Sequence, residues 1–252
     1  MASTTTTSTP PASASPASER RASGQRPDLS PEVILDAAQA LIEREGDSAL
    51  TFRRLGAELG ADPTAAYRHF RNKDELLLAL GDRLLGEAIR LTTDQMPPEA
   101  DWRTAMRLAA HNVRDTLVHH PKLAAVVSVR VTQGKHEASG IEQGLAIMSG
   151  TGLPVRDVVG IQRAFADTVL AWSLFSATFV GLPEDAKTRD AAAWATTYRS
   201  LPPEEFPHIH AGRDHLDDFD DAFDLALDLL FDGIQARIDA MSPTTTAQEM
   251  TP

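Results

Sequence analysis

The apolar positions of this chain recur at helical spacing wherever the sequence is patterned at all. Val33, Ile34, Ala37, Ala38, Leu41 and Ile42 mark one face of a first helix. Ser30-Pro31 starts it, a capping hydroxyl followed by proline at the first helical position, and Gly46 stops it. Thr51 opens a short second helix carrying Leu55 and Leu59, closed by Gly60, and Asp62-Pro63 opens a third that ends near Phe70. Asn72 with Glu75 gives a capping-box start to a fourth, with Leu76, Leu77, Leu80, Leu84 and Leu85 along one side. Three longer stripes follow: Trp102, Met106, Ala109, Val113 and Leu117 up to Pro121; Val158, Ile161, Phe165, Trp172 and Phe179 between Pro154 and Gly181; and Phe219, Phe223, Leu227, Leu230, Ile234 and Ile238. No stretch alternates as a strand does, and no repeat appears. The proline-containing stretch from Leu182 to Gly212 reads as the longest loop, with Ala191–Tyr198 as a short helix inside it. The pattern predicts an all-α protein.

The ends break the pattern. Met1 to about Pro27 is Ser, Thr, Ala and Pro, with almost nothing to bury, and 242–252 has the same character, so both read as disordered tails. Arg20, Arg21 and Arg26 precede the first helix, where an arm could reach a minor groove, but a solvated tail is the reading composition favours. Between the tails the pattern predicts a three-helix front domain over 28–75 and a larger helical domain over 76–241.

Charge sharpens this picture. The net charge is −12, so any contact with nucleic acid has to be local. Within Leu50–Lys73 the sign reverses, with Arg53, Arg54, Arg68, Arg71 and Lys73 against Glu58 and Asp62. Two short helices joined by a tight turn need small residues where they touch, which Gly56 and Gly60 supply. With Leu55, Leu59, Ala66 and Phe70 facing inward, Thr64, Ala65, Tyr67, Arg68 and His69 are left on the outer side of the second helix. Such a helix can enter a major groove, while Arg53, Tyr67, His69 and Lys73 reach phosphates on either side.

The run Tyr67-Arg68-His69-Phe70-Arg71-Asn72-Lys73-Asp74-Glu75-Leu76 resembles the Tyr-x-His-Phe-x-x-Lys-x-x-Leu signature of the tetracycline-repressor (TetR-like) family, and the resemblance extends over roughly Leu29 to Leu85. It implies a helix-turn-helix head whose base or phosphate contacts fall on Thr51, Arg53, Pro63, Thr64, Ala65, Tyr67, His69 and Lys73, to which the charge of Arg68 is added. Two positions depart from the pattern. Phe52 stands where a small polar residue sometimes reaches phosphate, which removes that contact. Ala65 and Ala66 offer only methyl groups, so readout leans on thymine methyls, Thr64 and Arg68. Trp102-Arg103, the segment Leu201-Pro-Pro-Glu-Glu-Phe-Pro207 and the run ending Asp-Leu-Leu-Phe-Asp-Gly233 resemble the subgroup around the tetracycline repressor itself. That implies a C-terminal ligand-binding and dimerisation bundle, a homodimer, and a palindromic double-stranded operator.

The Val155–Val180 helix carries its aromatic stripe on one side and Ala164, Ala171, Leu174 and Thr178 on the other, which predicts a second subunit against it. Met106, Asn112, Phe165, Thr168, Trp172, Phe175 and Ser176 place a few polar groups within an aromatic lining, a candidate site for a small apolar or aromatic effector. For any one of these residues alone, an ordinary core position is the reading favoured. His208, His210 and His215 near Asp214, Asp217 and Asp218 have the right types for a metal, but their spacing crosses a loop and a helix start, and no metal or other cofactor is expected. The absence of cysteine fits a reducing cytoplasm, and no apolar run approaches a membrane span. Without cysteine, a phosphate loop or a nucleophile elbow, an all-α enzyme is disfavoured. The expectation is a cytoplasmic transcriptional regulator, a repressor released by a small molecule; a regulator without an inducer would show a filled core.

Overall fold

The computed structural model describes residues 29–216 and 222–241, so both tails, the arginines of the N-terminal arm, Asp217, Asp218 and Phe219 lie outside the described residues. Every described element is helical. The head is built from α1 (Pro31–Glu45), α2 (Phe52–Glu58) and α3 (Pro63–Tyr67), followed by the long α4 (Lys73–Gln95). Each begins on a side chain that accepts a hydrogen bond from the first turn: Ser30 Oγ from Val33 N, Thr51 Oγ1 from Arg54 N, Asp62 Oδ1 from Thr64 N and Asn72 Oδ1 from Glu75 N. These caps satisfy amides that have no partner within their own helix, and so fix where each helix starts. Glu75 reaches back to Arg71 N, one residue before the cap. The third helix stops at Tyr67, three residues short of the predicted end, and a turn carries the chain through Phe70, which is buried.

The second domain continues with α5 (Trp102–His119), α6 (Pro121–Val127), α7 (Lys135–Ser149), α8 (Val155–Val180), α9 (Glu184–Ala192), α10 (Pro207–Gly212) and α11 (Ala222–Met241). α5 and α8 lie where the hydrophobic stripes predict them. The stretch read as a loop from Leu182 is instead largely helical, with α9 running into a π turn at Ala193–Thr197 and a 3-10 turn at Tyr198–Ser200 before α10. Two of its four prolines, Pro183 and Pro207, stand at or just before helix starts, where a missing N–H costs nothing.

Two apolar cores hold the chain together. The first joins Ile34, Leu41, Leu55, Phe70 and Leu80 of the head to Leu123 and Val127 of α6 and Ala177 of α8. Apolar packing therefore runs across residue 75, and α4 belongs to both domains. The docking of α6 on α1 is also polar: Glu43 Oε1 accepts from Leu123 N at 2.9 Å, and Lys122 Nζ donates to Arg44 O at 3.0 Å. The second core unites Met106, Met148, Phe165 and Val169 with Phe223, Leu227 and Phe231 of α11. Outside it, an antiparallel ladder ties α5 to α11, with Arg103 on Asp232, Arg107 on Asp224 and Asp228, and His111 on Asp224.

Candidate nucleic-acid interface and effector cavity

α2 and α3 meet at a corner that only small residues permit. A Cβ on Gly56 would lie 2.9 Å from Ala61 O and 3.1 Å from Pro63 Cα, both rigid backbone. Gly60, at φ +59°, makes the turn in the left-handed region that favours glycine. The inner side of the corner is Leu55 and Ala66, both buried. Thr64, Tyr67, Arg68 and His69 project outward, Ala65 and Pro63 are half-buried, and Thr51 and Arg53 are exposed at the start of α2. All nine predicted contact positions thus lie at this corner or at its exit, where Lys73 begins α4.

The charges of the corner divide into two groups. Arg54 pairs with Glu45 and Glu58, and Arg44 with the same two carboxylates, so these cations brace the head. Arg53, Arg68 and Arg71 are exposed and make no ion pair among the described residues. Lys73 Nζ donates to the carbonyl of Asp47 and lies 3.5 Å from its carboxylate, pinning the first turn of α4 to the α1–α2 connection. The hydroxyl of Thr64 is bound to Asp62 Oδ1 at 2.7 Å, leaving its methyl and lone pairs outward. Phe52, which the sequence removes from the phosphate contacts, is buried and lies flat against Tyr67, with ring centroids 4.1 Å apart and planes 15° from parallel. It serves as the platform on which Tyr67, itself 52% exposed, is held.

In the second domain a small cavity of about 40 Å³ lies between α4, α5, α6 and α8. Its walls are mostly apolar, including Leu84, Ala88, Val113 and Leu170. Two hydroxyls stand out. Thr116, 4% exposed, and Ser128 each have a buried Oγ without a hydrogen-bond partner among the described residues, and both line the cavity. None of the seven residues expected to form a ligand site lines it. Met106, Phe165 and Trp172 pack in the second core, with Phe165 stacked on Phe231. Asn112 turns to α4 and donates to Thr92 Oγ1 and Gln95 Oε1. Thr168 Oγ1 donates to Ala164 O, Ser176 is half-buried, and Phe175 is 65% exposed. The signal that finds the cavity is an unpaired buried hydroxyl, visible only once the helices are assembled. At the far end, His210 accepts from Arg213 Nη1 at 2.9 Å, and no metal-holding cluster of three His, Asp or Glu occurs among the described residues.

A glycine-cornered helix pair presenting unpaired cations, built onto an all-helical second domain, defines a helix-turn-helix regulator of transcription. Residues 34–80 match the model of bacterial regulatory proteins of the tetR family, and residues 96–238 match that of the tetracyclin repressor-like C-terminal domain. The chain belongs to the tetR family. It is 30% identical over 149 residues to the HTH-type transcriptional repressor Rv1353c of Mycobacterium tuberculosis, a match over 58% of this chain and 56% of that one, so it spans little more than half of that relative. It is 28% identical over 212 residues to the class A tetracycline repressor protein from transposon 1721 of Escherichia coli, covering 83% of this chain and 92% of the repressor. Among solved structures, the transcriptional regulator SCO7222 from Streptomyces coelicolor superposes with a TM-score of 0.71 at 25% identity, over 82% of this chain and 98% of that one.

Proposed function

We propose that this chain is a repressor that binds a palindromic operator as a homodimer in the cytoplasm and is released from it by a small molecule. The observation that carries the operator reading is the exposed corner itself. Arg53, Arg68 and Arg71 are unpaired there, in a protein whose total charge is strongly negative. Thr51, Arg53, Tyr67, His69 and Lys73 are assigned to phosphates, and Pro63, Thr64, Ala65 and Arg68 to the groove floor. The dimer reading rests on the outer faces of α8 and α11. Val159, Ala171 and Phe175 of α8 and Leu225 and Leu229 of α11 are apolar or small side chains left exposed by the described residues of their own subunit. The effector reading is supported by the match of residues 96–238 to the tetracyclin repressor-like C-terminal domain. No single described helix is long and apolar enough to cross a membrane.

The test is fluorescence anisotropy of the full chain on duplex from upstream of its own gene, with salt titration and unrelated duplex as competitor. Nanomolar binding that resists competitor and falls steeply with salt is expected. Tyr67→Ala and Lys73→Ala should each weaken it by about tenfold, the worth of one charge-assisted phosphate contact. Wild-type binding no tighter than to unrelated duplex, unchanged by both substitutions, removes the operator reading.

A further inference from the structure

α3 turns one narrow strip of its surface away from the head. At about 100° per residue, Thr64 and Arg68 lie within about 20° of the direction opposite buried Ala66, while Ala65 and Tyr67 stand about 80° to either side. Arg68, which closes the helix, keeps helical backbone angles at φ −70° and ψ −24°, so it holds this register. Tyr67 lies against Phe52 of α2, and the centre of the strip is left to Thr64 and Arg68. A helix that enters a major groove with this strip foremost brings these two side chains nearest to the base edges.

The chemistry of the two is unequal. Thr64 Oγ1 donates its one proton to Asp62 Oδ1 at 2.7 Å, and the same carboxylate oxygen accepts from Thr64 N at 2.8 Å. The hydroxyl hydrogen is therefore committed, and Thr64 offers a methyl group and an acceptor. Pro63 and Ala65 carry no side-chain donor. Arg68 is exposed and makes no ion pair among the described residues, so its whole fork is available. In the major groove guanine shows two acceptors that match a guanidinium fork, and thymine shows a methyl group. We infer that Arg68 is the one side chain of this strip that donates to a base, and that the base is a guanine in each half-site. The thymines beside it are recognised through the methyls of Thr64 and Ala65, without a hydrogen bond. This rests on the reading of the corner as the operator-binding head.

The test selects duplexes from a random double-stranded pool with the full chain and then measures the selected duplex by anisotropy. Each half-site should carry one fixed guanine with thymine beside it. Replacing that guanine by 7-deazaguanine, which lacks N7, should weaken wild type about two- to tenfold, half the worth of a bidentate pair. Uracil in place of the thymines removes only a methyl and should cost about two- to fivefold. Arg68→Ala should bind guanine and adenine sites alike, and Arg68→Gln should select adenine at that position, since a side-chain amide pairs with adenine N6 and N7. Thr64→Val, which keeps the methyl, should bind as wild type does, whereas Thr64→Ser should lose about two- to fivefold and ignore uracil. All four exposed-site variants should melt with wild type. An Arg68→Ala protein that weakens on every sequence equally and keeps the guanine preference overturns the assignment and leaves the operator reading intact. Selected sites with no fixed guanine do the same. Thr64→Val losing as much as Thr64→Ser makes the hydroxyl a base contact and overturns recognition by methyl. A wild-type chain that selects no sequence from the pool overturns the operator reading and the inference together.

Discussion

Tyr67 cannot choose its direction freely, because the ring of Phe52 lies flat beneath it and the glycine corner fixes the distance between their helices. Phe52 thus orients a neighbour that is proposed to contact phosphate. The expected outcome of Phe52→Leu follows from that division of labour. Leucine keeps the site apolar and filled, so stability should fall by under about 1.5 kcal/mol. The lost aromatic contact, worth about 0.5–1.5 kcal/mol, should appear as a two- to tenfold loss of operator affinity. Thermal melts and anisotropy on the same preparation separate the two effects; an unchanged affinity would show that Tyr67 is held by its helix alone.

Among the elements, α11 is fastened from two sides, by Phe223, Leu227 and Phe231 inside and by the ladder to α5 outside. Asp224 is the shared rung. Burial raises its pKa, but the hydrogen bond and charge of His111, and then those of Arg107, outweigh burial and hold the carboxyl below its ordinary value of 3.8. A carboxylate depressed in the folded state stabilises at pH above its unfolded value, and that contribution is lost as pH falls through the lower folded value. Asp224→Asn should therefore melt below wild type at neutral pH, with the gap closing as pH drops below about 4. A gap constant from pH 7 to pH 2.5 would mean that the aspartate acts by packing alone. The same element scale shows what the sequence makes legible. α1, α2, α4, α5 and α8 start or stop on capping residues and prolines that announce themselves locally. α7 does not. It fully buries only Gly144 and Met148, with Leu145 and Ile147 partly covered, and a Cβ at Gly144 would fall 2.1 Å from Gln162 Oε1, so part of its contact surface is a missing side chain. The cavity was equally illegible, because Thr116, Ser128 and Leu170 come from three separate stretches and are neighbours only in the assembled bundle.

On the scale of the whole molecule, the reading corner is legible because its chemistry is contiguous in sequence, while the proposed dimer face is spread over two helices far apart. Leu225 and Leu229 are 60% and 67% exposed and take no part in either core of their own subunit. Leu229→Glu should therefore leave the melting of the subunit's core intact and yield monomers by sedimentation. It should also cost at least about tenfold in operator affinity, as each half-site is then bound alone. A Leu229→Glu protein that stays dimeric would move the interface to another face.

α4 runs unbroken for 23 residues from the reading corner into the wall of the cavity. At 1.5 Å per residue that is a rod of about 34 Å, so a tilt of about 5° at its cavity end swings its tip through about 3 Å. In the proposed dimer, two such tips straddling one turn of duplex, itself about 34 Å long, would leave their grooves together when each moves that far in opposite senses. The head need not unfold or loosen for the operator to be lost. A stiff rod pivoting at one end converts a change the size of a water molecule into a mismatch between protein and DNA pitch.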